Sequence, residues 1–242
     1  MHNDDKCARY AVGDLQRTRQ RQVVEPFDAG VALVNKAQKC ATYFAWDHRR
    51  AHLRSMNQFI EGGVPNVVRK TNICTTRVAA RHKTLRSILL LNRVLKHYAR
   101  LNPDDSDVKG WAMTAEEWAA VAEMEAVTKV VTDTTTLVQT EKAQMGAMGY
   151  VIHCELLKRL RSNQFEVLDL DNITEQERPR RTVLVSDFTP TGRKCLQRAR
   201  LEAERRLCGS TALNVDDVSG KSPVQRQHRE TLCLTLDPRT TF

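Results

Sequence analysis

Aromatic residues are scarce in this chain, only 5% of its 242 residues, and it has just 10 glycines. Both shortages disfavour a sandwich, barrel or propeller, whose strands favour aromatic side chains and whose tight turns need glycine. Nothing approaches the run of about 20 apolar residues that a membrane-spanning helix requires. The opening residues, Met1-His2-Asn3-Asp4-Asp5-Lys6, lack the basic region followed by an apolar stretch that marks a secretory signal. The seven cysteines are scattered, and no two have Cys-x-x-Cys spacing. Free thiols in a reducing compartment are therefore expected, and a zinc finger is not. Also missing are a Gly-rich phosphate loop, a Gly-x-Ser-x-Gly elbow and a Cys/His nucleophile pair.

Positive charge is in excess. Lys and Arg number 38 against 29 Asp and Glu, giving a net +9 and a pI near 9.4. This balance favours contact with polyanions. The 41% hydrophobic and 28% charged content is that of a soluble globular protein with one substantial core or two small ones.

Helical periodicity dominates the chain. Residues 1–22 are polar and read as a poorly ordered tail. A helix is expected to begin at Pro26, with Phe27, Val31, Val34, Ala37 and Ala41 on one face and Leu33, Cys40 and Tyr43 adding a second apolar surface. The pattern turns basic through Trp46-Asp47-His48-Arg49-Arg50 and stops at Gly62-Gly63-Val64-Pro65. A second helix is expected over roughly residues 75–101. It carries Leu85, Ile88, Leu91, Leu95 and Tyr98 on one side and His82, Arg86, Arg93, His97 and Arg100 on the other. Thr114-Ala115-Glu116-Glu117 reads as a capping box opening a third helix, whose Ala120, Met124, Val127, Val131, Thr134 and Val138 form a packing seam. Thr134 to Thr136 weaken that helix. A fourth helix is expected over residues 148–160. Residues 161–188 read as irregular, with short apolar runs at Val167-Leu168 and Val183-Leu184-Val185. A last, densely charged helix is expected from Pro190 to Leu207, capped by Thr189, before a flexible tail over residues 209–242.

Several constellations bear on chemistry. His48 and His52 share a helical face, but Arg49 and Arg50 lie between them and two ligands leave a tetrahedral site unfilled, so a solvated basic face is the reading. Asp169 and Asp171, like Asp216 and Asp217, sit in loop or tail sequence and read as turn residues rather than a two-metal site. The basic helix face centred on Arg86, Arg93 and Arg100 is the candidate for phosphate contact. Trp46, Trp111 and Trp118 could stack on bases but read as core anchors.

The order of these landmarks carries a resemblance. Lys36-Ala37-Gln38-Lys39-Cys40 through Phe44 and Arg50-Ala51-His52-Leu53 come first. Thr76-Arg77-Val78-Ala79-Ala80-Arg81-His82-Lys83-Thr84-Leu85 follows, then Trp118 with its helix, and the Gly-Arg-x-x-x-x-Arg-Ala segment at Gly192. Leu234-Thr235-Leu236-Asp237-Pro238-Arg239-Thr240 closes the series. Together they resemble the helical insertion of a hAT-type DNA transposase. The stretch from Thr76 looks like the family's Thr-Arg-Trp-Asn-Ser-Thr-Tyr-x-Met-Leu signature, and Leu236-Asp237-Pro238-Arg239 looks like its Leu-Asp-Pro-Arg-x-Lys element. Val78 stands where that signature has Trp, and Ala79-Ala80 where it has Asn-Ser. Cys7-Ala8-Arg9-Tyr10 has Tyr where a Cys-x-x-His motif would have His.

In that family the insertion sits within an RNase H-like catalytic domain whose aspartates lie upstream and whose glutamate and dimerisation segment lie downstream. The resemblance therefore implies a truncated or degenerate transposase-like protein: all-α, an irregular helical bundle over residues 23–208 with flexible ends, and placed in the nucleus or the cytoplasm with the nucleus favoured. No catalytic residue, metal, cofactor, small-molecule substrate or membrane partner is expected. The expected activity is weak, non-specific DNA contact through Arg77, Arg81, Lys83, Arg86, Arg93 and Arg100, or association with itself or related transposases. Two readings compete with it: a helical protein-interaction module with no nucleic-acid role, and a nuclease or transposase with an unrecognised site.

Overall fold

The computed structural model describes residues 3–13, 17–19, 22–24, 26–60, 80–140, 146–173 and 177–205. Most of them are helical. The helices are α1 (Asn3–Ala11), α2 (Asp28–Tyr43), α3 (Asp47–Phe59), α4 (Ala80–Leu90), α5 (Asn92–Leu101), α6 (Ser106–Trp111), α7 (Ala115–Thr140), α8 (Gly146–Leu160) and α9 (Pro190–Ala203). Strands β1 (Arg17–Arg19) and β2 (Gln22–Val24) pair antiparallel, as do β3 (Gln164–Leu168) and β4 (Arg180–Leu184).

α7 is the axis of the bundle, with α1, α4, α8, α9 and β3 packed around it. Every residue from Ala120 to Thr128 is buried, so the helix is enclosed on all sides rather than along the single seam its apolar spacing predicts. Ala120, Ala122 and Ala126 make this possible, because their small side chains let neighbours approach on several faces. The expected start of α7 holds. The Thr114 amide donates to the Glu117 carboxylate at 2.9 Å, and the Glu117 amide donates to Thr114 Oγ1 at 3.2 Å. Thr128 and Thr134 sit within the helix by donating their hydroxyls to the carbonyls of Met124 and Val130, four residues back.

The N-terminal stretch departs from the sequence reading. Residues 3–11, expected in a tail, form α1, and Cys7, Tyr10, Ala11 and Val12 are buried in the core. The partner lies 188 residues away. Arg198 of α9, which sequence places on a charged surface, is only 2% exposed. Its guanidinium sits 4.0 Å from the Tyr10 ring centroid, and its Nε donates to the Tyr10 carbonyl at 2.9 Å. A short polar helix is stable here because a distant cation holds it.

Two expected helices are broken. The first starts at Asp28 rather than Pro26, because Phe27 leaves helical geometry (φ −129°, ψ 59°) and lays its ring over Gly30. A Cβ on Gly30 would stand 2.2 Å from that ring, so the approach requires glycine. The same helix ends at Tyr43, and α3 begins only after the extended Trp46. The second break is at Leu91. Ile88, Leu89, Leu90 and Leu91 are consecutive and all buried, a run too wide for one helical stripe. The bend lets Leu90 pack on Ile173 while its neighbours face the main core.

Residues 161–188 are likewise more ordered than expected. Their two apolar runs become β3 and β4, in a register that sets Phe165 opposite Val183 and Val167 opposite Arg181. Phe165, Val167 and Leu168 are buried against α7. The two strands are separated by 11 residues, too long a connection to carry the short-turn signature of a hairpin. Leu236–Arg239, Asp216–Asp217 and the N-terminal part of the predicted residue 75–101 helix lie outside what is described.

α9 begins where expected, with Pro190 in its first turn and Thr189 Oγ1 accepting from the Gly192 amide at 3.0 Å. Buried Glu123 of α7 completes this start, accepting from the Thr189 amide at 3.0 Å and from its hydroxyl at 2.5 Å. An alanine Cβ at Gly192 would lie 2.0 Å from Glu123 Oε2. Gly192→Ala is therefore expected to destabilise the fold by about 2 kcal/mol or more, lowering Tm by roughly 4–8 °C in a thermal melt. A variant melting within a degree of the parent would contradict this contact.

Candidate nucleic-acid interface

Charge is unevenly distributed over the helices. α3 carries Arg49, Arg50 and Arg54, α4 carries Arg81, Lys83 and Arg86, and α5 carries Arg93, Lys96 and Arg100. Against these nine cations the three helices hold one acid, Asp47. Their formal charge of +8 nearly equals the +9 of the whole chain. The rest of the sequence is thus almost balanced, and the basicity of the protein belongs to one stretch.

The helical periodicity of α5 decides which of these groups reach water. Val94, Leu95 and Tyr98 are buried, while Arg93, Lys96, His97 and Arg100 recur at spacings of three and four on the opposite side. α3 packs against α5, and the two helices touch where the His52 ring meets Tyr98 edge-on. α3 buries only Leu53 and exposes His48, His52 and Arg54. The expected solvated face around His48 and His52 is therefore present.

The six cations singled out from sequence have different environments. Arg77 lies outside the described residues. Arg81 is half-buried and donates to the Gln38 amide oxygen, which ties it to α2. Lys83 and Arg100 are exposed, and Arg86 and Arg93 are partly so. Sequence reasoning missed Lys96 and the α3 arginines. Their signal was the same scarcity of acids that marks α4 and α5. Arg54, Lys83, Arg86, Lys96 and Arg100 form no ion pair among the described residues, whereas Arg50 pairs with Asp47.

His82 was expected on the basic side and is instead buried, 3.8 Å from the Glu125 carboxylate. One turn of α4 sets it inward with Leu85 and Leu89, facing α7. Glu125 is fully buried and is neutralised by Arg180 of β4, whose two terminal nitrogens reach its two oxygens at 2.7 and 3.1 Å. α4 is thus anchored at its inner side while its outer side carries Lys83.

An aromatic nest fixes the other end. Tyr43 and Phe44 of the α2–α3 junction meet Tyr98 and Trp111 with centroids 4.9–6.3 Å apart, mostly edge to face. The Tyr43 hydroxyl donates to Asp105 at 2.9 Å and lies 3.1 Å from the Tyr98 hydroxyl. Burial pushes the Tyr43 phenol up, and the Tyr43 hydrogen bond holds the Asp105 carboxyl below its usual range. Trp111 and Trp118 are core anchors, as expected. Trp46 is not: it is 64% exposed at the start of α3. The extended backbone at Trp46 (ψ 135°) turns the chain from α2 into α3, leaving its indole at the surface.

Among the described residues no three His, Cys, Asp or Glu side chains are gathered where they could share a metal ion, and none of their helices is long and apolar enough to cross a membrane. Comparison with protein-family models, curated proteins and solved structures gives no match to this chain.

Burial lowers the His82 pKa below its ordinary value of 6.5, outweighing the neighbouring Glu125 carboxylate, with Arg86 and Arg180 acting in the same downward direction. The unfolded chain therefore binds this proton more readily than the folded one. The stabilisation is present above pH 6.5 and is lost as pH falls below it. Burial raises the Glu123 pKa, which acts with the opposite sign, so the difference between wild type and His82→Gln isolates the imidazole. Between pH 7 and 5 the wild type is expected to lose more Tm than His82→Gln. Equal losses in the two proteins would contradict a buried, neutral His82.

Proposed function

We propose that this chain is a hAT transposase-like protein of the helical insertion type, with no catalytic residue of its own, that makes weak, sequence-independent contacts with duplex DNA in the nucleus. One observation carries the reading: α3, α4 and α5 concentrate a formal +8, with Arg93, Lys96, His97 and Arg100 as a continuous outward stripe. The ordered motifs from Lys36 to Thr240 support the family assignment. Phosphates are the natural partner of such a stripe, because cations that face water gain from displacing condensed counterions. The scarcity of fixed cations sets the strength. A footprint of about four phosphates gives a salt slope of roughly −3.6, enough for non-specific association and no more.

A second reading, a helical protein-interaction module or a platform for self-association, draws on Phe59 and Leu101. They are 85% and 59% exposed at the ends of α3 and α5.

Measuring duplex affinity between 50 and 200 mM salt separates the two. The wild type is expected to bind with a slope near −3.6, and an Arg86→Ala/Arg93→Ala/Arg100→Ala protein is expected to lose about 2.7 of it. An unchanged slope, or no retention of the wild type at low salt, would leave the interaction-module reading in its place.

A further inference from the structure

A cleft of about 660 Å³ opens where the C-terminal half of α2 meets the start of α3 and the short α6. We propose that it binds a nucleotide, with the base against the Trp46 indole and the phosphate on Lys39 and Arg49. The site is distinct from the outward stripe of α5 and does not depend on the duplex-binding reading.

Its contents match the two halves of that ligand. Trp46 lines the cleft and is 64% exposed, while the other two tryptophans are buried. A large aromatic face left in water beside cations suits stacking on a base. The second wall is Trp111, which is 2% exposed and whose indole N–H has no hydrogen-bond partner. A buried donor left unpaired is unusual. Trp111 also walls a smaller cleft of about 240 Å³ beside Arg100 and Met113, so it separates two cavities. Only the larger is of a volume that encloses a nucleotide, within the roughly 300–1,000 Å³ usual for small-molecule sites.

The polar lining is ordered in advance. The Arg49 guanidinium lies 3.9 Å over the Tyr43 ring and 3.7 Å from Asp107 Oδ2, a contact too long to be a hydrogen bond. It is thereby oriented and still has donors for a phosphate. Lys39 is exposed and forms no ion pair among the described residues. Asn35, Thr42 and Ser106 bring amide and hydroxyl groups of the kind that read base edges. Gln38 keeps its amide nitrogen for the same purpose, since its oxygen is held by Arg81. Asp107 is the one acid in the lining, and it opposes an anionic ligand.

A free nucleotide and a nucleotide within a single strand offer the same base and phosphate, and they form the two arms of the test. The full chain is titrated calorimetrically with a deoxynucleoside 5′-monophosphate and, separately, with a short single-stranded oligonucleotide. Saturable binding is expected in at least one arm: in the first it identifies a free nucleotide, in the second alone a strand-borne one. Trp46→Ala is expected to weaken it about tenfold or more, and Trp46→Phe, which keeps a stacking face, by less than about threefold. Asp107→Asn is expected to tighten it. Because Trp46 is at the surface, circular dichroism of its variants should match the parent. Failure of both ligands to bind below about 5 mM, or a Trp46→Ala protein with parental affinity, overturns the proposal. The Arg86→Ala/Arg93→Ala/Arg100→Ala protein should bind the mononucleotide as the wild type does, which keeps failure of the duplex reading separable from failure of this one.

Discussion

The enclosure of α7 is the constraint on which the rest of this molecule depends. A helix buried on every side cannot leave a charge facing water, yet its centre carries Glu123 and Glu125. Both must be satisfied from within, and each recruits a different element. Glu125 takes Arg180 and so fixes β4 against the bundle, and Glu123 takes Thr189 and so fixes the start of α9. Breaking such a pair by removing one partner typically costs about 3–5 kcal/mol, a large fraction of a domain's net stability. Glu125 and Glu123 thus help to place the hairpin and the last helix, alongside the apolar side chains of β3 and α9 that pack on α7. Arg198 applies the same logic in the other direction, since its buried cation brings α1 into the core.

This internal use of charge explains the surface. Glu202 is also buried and pairs with Arg205, Glu117 is held by Lys36, and Asp105 is bound by Tyr43 and by the amides at the start of α6. Carboxylates that might have neutralised the exterior are committed to caps and buried pairs. α3, α4 and α5 have one acid among them, and Arg54, Lys83 and Arg100 face solvent with no ion pair among the described residues. The positive field is thus a product of where the acids went as much as of how many cations the chain holds.

How far sequence alone could go follows from the range of each signal. The capping box at Thr114 and the Thr189-Pro190 start were legible because a helix N-terminus is specified within four residues. The apolar side of α4 and α5 was legible because it repeats at helical spacing. The buried roles of Glu123, Glu125, Arg180 and Arg198 were not, since partners 55 to 188 residues apart leave no local trace. Those residues look like surface charge to any periodicity argument. α1 and the β3–β4 hairpin were missed for the same reason, being stabilised by contacts their own sequences do not advertise. At the candidate interface the density of cations was legible and their individual exposure only partly so. His82 and Arg81 turned inward, and Lys96 and the α3 arginines belonged to the face as well.

The breaks in the helices matter as much as the helices. In a continuous helix through residues 26–60, Tyr43 and Trp46, three residues apart, would share one side. The interruption at Phe44–Trp46 instead folds Tyr43 and Phe44 into the aromatic nest and turns Trp46 outward, which creates the cleft between α2, α3 and α6. At Leu91 the bend serves a different end. It seats four consecutive apolar residues in the core and lets α5 begin a new phase, with its basic residues aligned along one side next to α3. The cationic stripe begins after a run of four apolar residues that exceeds what a straight helix can bury, and the tryptophan-walled cleft opens where α2 gives way to α3.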